Sequence, residues 1–188
     1  MLCPKDRETE LTPCDLDGGV AALHCECCEG SWISAENYGK WQETHGVALL
    51  DASTLGLVLD PEFEPSLEDA QAALCPECQH YLSRSRIGFG QSFFLERCKN
   101  CGGYWCDRGE WKLLTKLGLH GNLEHLFSAT WQDAVRKREQ QLTERRVLVE
   151  KVGEDLAAEV FEMATKLESH PSGDFAVAYL MRRFDGTD

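Results

Sequence analysis

Apolar residues in the last third of the chain recur at intervals of three, four or seven. With charged residues between them, this spacing puts the apolar side chains on one face of a helix. The pattern predicts one long helix or two helices broken near Gly153, followed by another helix after residues 170–173. The positions are Leu123, Leu126, Phe127, Trp131, Val135, Leu142, Val149, Val152, Leu156, Val160, Met163 and Leu167.

Earlier in the chain the apolar segments are shorter and turn residues separate them. Residues 81–87 and 92–97 flank a turn that contains two glycines, and a turn at residues 15–19 separates two further short segments. Each pair predicts a β-hairpin. A helix start follows each hairpin, and in the second one Asp107, three residues before Glu110, predicts an N-cap.

The two hairpins belong to an internal repeat. The sequence C-P-K-D at residues 3–6 corresponds to C-P-E-C at 75–78, and C-E-C-C-E-G-S-W at 25–32 corresponds to C-K-N-C-G-G-Y-W at 98–105. The first and third anchor residues are 22 positions apart in the first copy and 23 in the second, so both copies enclose a hairpin of one size. A repeat of this kind determines the architecture.

These patterns predict an α+β protein with four parts. Residues 1–45 form the first hairpin module and 75–118 the second, each with a short helix. Residues 46–74, rich in Asp, Glu and Pro, are predicted to be an acidic linker, and 119–188 form the amphipathic helices.

Charge and composition narrow the class of protein. The formal net charge is −13, and residues 1–74 hold 15 acidic against 3 basic side chains. Such a chain is repelled by phosphate backbones at long range. No apolar run reaches the roughly 20 residues that cross a bilayer, and the N-terminus lacks the apolar core of a secretion signal. We therefore expect a cytoplasmic protein without a membrane partner.

Ten cysteines in a reducing compartment indicate metal binding rather than disulfides. Two C-x-x-C turns that face each other across a hairpin complete a tetrahedron of thiolates, which suits Zn²⁺. The second copy therefore predicts a zinc site formed by Cys75, Cys78, Cys98 and Cys101. A rubredoxin-like iron site, with an electron carrier as its function, uses the same turns and is the alternative.

The first copy has Asp6 where the second has Cys78. A carboxylate oxygen also binds zinc, so the predicted second site consists of Cys3, Asp6, Cys25 and Cys28 and is weaker than four thiolates. Cys14 and His24 are rival fourth ligands, and a metal-free first copy is a further alternative. Cys27 and Cys106 have no place in either tetrahedron. They are small apolar fillers or, less favoured, redox sensors.

The second copy, from C-P-E-C through C-x-x-C-G-G-x-W-x-D-R-G-E at residues 98–110, resembles the bacterial zinc-ribbon family grouped with the zinc finger of transcription factor TFIIB. The first copy resembles the C-P-x-D variant, with Glu29 in place of the first glycine. The resemblance covers about half the chain. It implies a metal-stabilised fold with the ligands named above, and a label of nucleic-acid-binding or transcription-related protein that rests on fold analogy alone.

The function we expect is that of a zinc-binding adaptor or regulator that binds another protein, with self-association through the C-terminal helices as a further partner hypothesis. Nucleic-acid binding is the alternative. Basic and aromatic residues near the second copy favour it, and the net charge disfavours it. An enzyme is not expected, because four-cysteine sites leave no open coordination position and no catalytic motif is found. The basic and aromatic residues are Tyr81, Arg84, Arg86, Phe93, Phe94, Arg97, Lys99 and Arg108.

Overall fold

The structure is a computed structural model that describes residues 1–46, 63–88 and 92–185. Most of the predicted acidic linker and the turn of the second hairpin lie outside these ranges. The chain divides into two compact units, Met1–Glu139 and Gln140–Asp188.

Both copies of the repeat form three antiparallel strands and a helix. In the first copy these are β1 (Thr12–Leu16), β2 (Val20–His24), β3 (Ser31–Ile33) and α1 (Ala35–His45). In the second they are β4 (Leu82–Ile87), β5 (Phe93–Cys98), β6 (Tyr104–Cys106) and α2 (Glu110–Lys116). The predicted hairpins and helix starts are thereby confirmed.

Asp107 does not cap α2, so this part of the prediction is wrong. Its carboxylate accepts a hydrogen bond from the indole N–H of Trp105 at 2.7 Å, and the N-cap position is taken by Gly109 without a side-chain cap. The reciprocal half of a capping box does form, because the backbone N–H of Asp107 donates to Glu110 Oε2 at 2.8 Å.

The strands of the described chain join into one six-stranded sheet in the order β1-β2-β3-β6-β5-β4. The α+β class is thus confirmed, but the two copies are not separate hairpins. They meet where β3 pairs with β6, with Trp32 directly opposite Trp105. Because Trp32 and Trp105 are equivalent positions of the repeat, the two copies are related by an approximate two-fold axis between these tryptophans.

Each tryptophan at this junction lies on a glycine of the other copy. A β-carbon added at Gly30 would lie 2.2 Å from an atom of the Trp105 ring, and one added at Gly103 would lie 2.3 Å from an atom of the Trp32 ring. Both tryptophans are buried: Trp32 is 1% exposed and Trp105 is 0% exposed. The two glycines are therefore required for the close approach of the copies.

We expect Gly103→Ala to destabilise the protein by about 1–3 kcal/mol, because the new methyl group overpacks the junction and Trp32 must move. Gly39 in α1 is the matched control, since nothing lies within 4 Å of a β-carbon built there. Gly39→Ala should leave stability unchanged or raise it, since alanine is the better helix former. Thermal unfolding of both variants measures the difference, and equal melting temperatures would contradict this account of the junction.

The sheet has an apolar cluster on each of its two faces at the junction. Adjacent residues on a strand point to opposite faces. Trp32 and Trp105 join a smaller cluster that contains cysteines of both copies, whereas Ile33 and Tyr104 join the main core. Helices α1 and α2 and the first turns of the helix that begins at Ala129 cover that core, with Trp41, Trp111 and Trp131 among its members.

The remaining helices follow the apolar periodicity. They are α3 (Leu123–Leu126), α4 (Ala129–Val152), α5 (Glu154–Glu168) and α6 (Gly173–Asp185). Gly153, with φ 84°, separates α4 from α5, so the alternative of two helices broken at this glycine is confirmed. Among the described helices, none combines the length and apolar character that crossing a membrane requires.

Candidate metal centres

The four cysteines of the second copy converge on one point. One sulfur atom from each of Cys75, Cys78, Cys98 and Cys101 lies within 4.8 Å of the other three. The Sγ atoms of Cys75 and Cys101 are 3.4 Å apart, and so are those of Cys78 and Cys98. Cys75 and Cys98 are fully buried. These four residues could hold a metal ion.

Each pair of sulfur atoms is presented by a tight turn. The residue four positions after the first cysteine of each turn has a left-handed backbone conformation. Gln79 has φ 59° and Gly102 has φ 79°. Their N–H groups donate to the carbonyl oxygens of Cys75 and Cys98, each at 2.9 Å. The conformation is what makes glycine favourable at position 102.

The first copy forms the same two turns. Arg7 and Glu29 are left-handed, with φ 63° and 57°, and their N–H groups donate to the carbonyls of Cys3 and Cys25 at 3.0 and 2.9 Å. Glu29 thus takes the conformation of its glycine counterpart despite its side chain. The repeat extends from the sequence to the geometry of all four turns.

Three cysteines of the first copy form the second group. One sulfur atom from each of Cys3, Cys25 and Cys28 lies within 4.8 Å of the other two, and the Sγ atoms of Cys3 and Cys28 are 3.5 Å apart. Asp6 is beside this group, with its Oδ2 atom 3.2 Å from Cys25 Sγ. These three cysteines could also hold a metal ion. Asp6, the predicted fourth ligand, contacts Cys25 but is not part of the group whose ligand atoms all lie within 4.8 Å of one another.

The carboxylate of Asp6 is held in place by the backbone. Its Oδ1 atom accepts hydrogen bonds from the N–H groups of Glu8 and Thr9, both at 2.8 Å. Partial desolvation raises the pKa of Asp6, but these hydrogen bonds outweigh it and bring the pKa below its ordinary value. The ionised carboxylate, which is the metal-binding form, is therefore favoured.

The rival fourth ligands are engaged elsewhere. Cys14 packs against the main core rather than the cluster that contains Cys3 and Cys25. His24 Nδ1 lies 3.2 Å from the hydroxyl of Ser31. Asp6 is thus the residue of the three that contacts a cysteine of the group.

Lys5 and Glu77 link the two copies, and no sequence motif marks either residue. Lys5 and Glu77 occupy the same position, between Pro and the fourth residue of each C-P-x-C or C-P-x-D turn. Glu77 Oε1 accepts a hydrogen bond from the indole of Trp32 at 3.0 Å. Lys5 Nζ lies 3.0 Å from Glu96 and donates to the carbonyls of Glu68 and Gln71 at 3.1 Å. Each turn is therefore connected to the other copy.

The link through Lys5 is buried. The Lys5 side chain is 0% exposed and that of Glu96 is 1% exposed, and Asp107 Oδ2 lies 3.4 Å from the ammonium group. Burial raises the pKa of Glu96 to about 7, against the opposing effect of Lys5. A charged pair in such a place is costly to form and more costly to break on one side.

The two remaining cysteines differ in their surroundings. Cys27 is exposed, whereas Cys106 is 1% exposed in the main core. Burial raises the pKa of the Cys106 thiol well above its ordinary value. Because the thiolate is the reactive form, Cys106 behaves as an apolar filler.

Comparison with known proteins identifies no relative: no family model, no curated protein and no solved structure matches the chain. The metal centres are therefore assigned from the geometry of the cysteines. The resemblance to the zinc-ribbon family stays a prediction.

Proposed function

We propose that this chain is a zinc-binding adaptor: two zinc ribbons of the TFIIB-type family form a rigid double module, and the C-terminal helices bind a partner protein. The observation that carries the proposal is the uncovered apolar surface of the unit formed by residues 140–188. The zinc ions are structural, and no catalytic step is assigned to them.

Zinc fits the second group because its donor set and spacing are those of a closed tetrahedron. A Zn–S bond of about 2.3 Å places two sulfurs of a tetrahedron about 3.8 Å apart. The distance of 3.4 Å between the Sγ atoms of Cys75 and Cys101 is close to this value. Four thiolates occupy all the positions of the tetrahedron, which supports a structural role over a catalytic one.

For the first group we propose three cysteines and Asp6 as ligands of a second zinc ion. The 3.2 Å contact between Asp6 Oδ2 and Cys25 Sγ supports this set. A site with three thiolates and one hard oxygen donor should bind zinc less tightly than a site with four thiolates. The first site should therefore release its metal before the second.

The C-terminal unit lacks a core of its own. Of the described residues from 140 to 185, only Ala157 and Gly173 are buried. Helices α5 and α6 instead line an open groove whose walls include Val160, Met163 and Phe184, and these three side chains are 41%, 50% and 77% exposed. An apolar groove between two helices is the kind of surface that receives an amphipathic helix.

The nucleic-acid alternative is weakened by the pairing of the basic residues near the second ribbon. Arg86 contacts Glu139 at 2.9 Å and Arg97 contacts Glu124 at 3.0 Å. The guanidinium of Arg84 stacks on the ring of Phe94, with its central carbon 4.0 Å from the ring centroid. These groups are therefore committed to contacts within the protein.

A matched pair of substitutions tests the adaptor proposal. Met163→Glu places a charge in the groove, whereas Met181→Glu places the same charge on an exposed methionine outside it. Tagged full-length wild type and both variants are used to recover partners from nuclease-treated lysate at moderate salt. We expect a protein that wild type and Met181→Glu retain and Met163→Glu loses, because charge burial in an apolar groove is unfavourable.

Two outcomes would contradict the adaptor proposal. If nuclease or rising salt removes the recovered material, nucleic-acid binding is the function. If Met163→Glu recovers the same proteins as wild type, the groove is not the binding surface. If a second copy of the chain occupies the groove, light scattering on the purified protein will show it, because Met163→Glu will then lower the measured mass.

A further inference from the structure

A third group of metal-binding side chains lies away from the cysteines. One carboxylate oxygen from each of Asp69, Asp107 and Glu110 lies within 4.8 Å of the other two. These residues, here called the acidic cluster, are 7%, 4% and 0% exposed. Buried carboxylates repel one another strongly when all are ionised, so this grouping requires either a compensating positive charge or protonation.

The positive side chains nearby do not balance the cluster. Lys5 lies beside Asp107 and Glu96, and Arg84 Nε lies 3.8 Å from Glu96. Four carboxylates thus face two cations, because Glu96 adds its charge to those of the acidic cluster. The excess is two negative charges, which equals the charge of one divalent cation.

Two oxygens of the acidic cluster have no hydrogen-bond donor. Glu110 Oε1 and Asp107 Oδ2 are buried without a hydrogen-bond partner. The hydrogens of Lys5 go to two carbonyls and Glu96, which leaves Asp107 Oδ2 with a charge at 3.4 Å and no hydrogen bond. A buried acceptor without a partner is costly, and a bound cation removes that cost.

The other oxygens of the same side chains are fixed in place. Trp105 donates to Asp107 Oδ1, the N–H of Asp107 donates to Glu110 Oε2, and the N–H of Phe94 donates to Asp69 Oδ1 at 2.7 Å. One oxygen atom of each carboxylate therefore accepts a hydrogen bond that fixes the orientation of the group. Ligands at metal sites are oriented by hydrogen bonds in the same way.

We propose that Asp69, Asp107 and Glu110 bind a divalent cation through carboxylate oxygens, at a site separate from the two cysteine centres. The three ligand atoms lie within 4.8 Å of one another, a spacing comparable with the separation of oxygens that share a Ca²⁺ ion at bond lengths of about 2.3–2.6 Å. Carboxylates are hard ligands and suit Ca²⁺, Mg²⁺ or Mn²⁺, whereas the thiolates suit zinc.

Protonation is the other way to remove the excess charge. Burial raises the pKa of Glu110 well above its ordinary value, and the charge of Asp107 adds to this effect. Burial also raises the pKa of Asp107. The test must therefore separate a bound cation from a protonated carboxyl group.

Terbium luminescence makes this separation. Tb³⁺ binds oxygen ligands and emits when a nearby tryptophan is excited, and the indole of Trp105 lies 2.7 Å from Asp107. Zinc-loaded full-length protein is titrated with Tb³⁺, with Ca²⁺ as competitor. Glu110→Gln removes one ligand with little change of shape, and Glu36→Gln removes an exposed carboxylate as the matched control. Zinc content and thermal unfolding establish that both variants are folded.

We expect tryptophan-sensitised emission that saturates at one Tb³⁺ per chain in wild type and in Glu36→Gln. Glu110→Gln should lose about tenfold or more in affinity, because a ligand is at least as important as its supporting hydrogen bonds. Ca²⁺ should raise the melting temperature of wild type and not that of Glu110→Gln. The proposal would be overturned if the emission does not saturate or if Glu110→Gln binds Tb³⁺ as tightly as wild type. It would also be overturned, in favour of protonation, if Glu110→Gln raises the melting temperature and Ca²⁺ leaves that of wild type unchanged.

Discussion

Replacing Cys98 by serine is expected to unfold the six-stranded unit. Binding of structural zinc contributes apparent free energies of about 10–16 kcal/mol in small metal domains. The net stability of a domain is only about 5–15 kcal/mol. Cys98 lies at the end of β5 and is fully buried beside the junction tryptophans, so loss of this ligand affects both copies of the repeat.

The matched control for this substitution is Cys27→Ser. Cys27 lies in a metal turn of the first copy but is exposed and outside both cysteine groups. Zinc analysis should show loss of zinc from both cysteine groups for Cys98→Ser and no change for Cys27→Ser, and circular dichroism should show unfolding for the former alone. A Cys98→Ser protein with unchanged zinc content and melting temperature would contradict the site.

Lys5→Met should destabilise the protein by about 3–5 kcal/mol, because it removes the nearer of the two cations beside the buried carboxylate of Glu96. The side chains of this pair are 0% and 1% exposed. Loss of the lysine also removes the donor to the carbonyls of Glu68 and Gln71. The effect should therefore extend to the segment that precedes the second copy.

Lys40→Met provides the comparison for Lys5→Met, since Lys40 pairs with Glu36 in an exposed position. Exposed pairs contribute little to stability, so its melting temperature should equal that of wild type. Glu96→Gln in the Lys5→Met background should restore part of the loss, because it removes the uncompensated charge. Equal melting temperatures for the two lysine variants would show that the buried pair does not hold the copies together.

The cysteine pattern predicted the metal groups because the C-x-x-C turn is local. Four residues determine how two sulfurs are presented, and the repeat showed where each turn lies. Asp107 was misassigned as a cap for the opposite reason. Its carboxylate is used by Trp105 and lies beside Lys5, and Lys5 is about one hundred residues earlier in the sequence.

The joining of the two copies left only a weak sequence signal. Strands β3 and β6 contain three residues each, too few for an alternating pattern. A signal was present in the glycines at equivalent positions, Gly30 and Gly103, each two residues before a tryptophan. The lack of a side chain at Gly103 serves the approach of Trp32. The acidic cluster combines two segments, because Asp69 lies 38 residues before the segment of Asp107 and Glu110, and no local pattern joins the two segments.

The zinc content of the wild-type protein, purified without added metal, can be measured by metal analysis together with X-ray absorption at the zinc edge. We expect two zinc ions per chain, with sulfur ligands at about 2.3 Å and a minor oxygen contribution from the first site. Iron in place of zinc would indicate an electron carrier. A metal-free protein that keeps its melting temperature in chelator would contradict the zinc-ribbon account altogether.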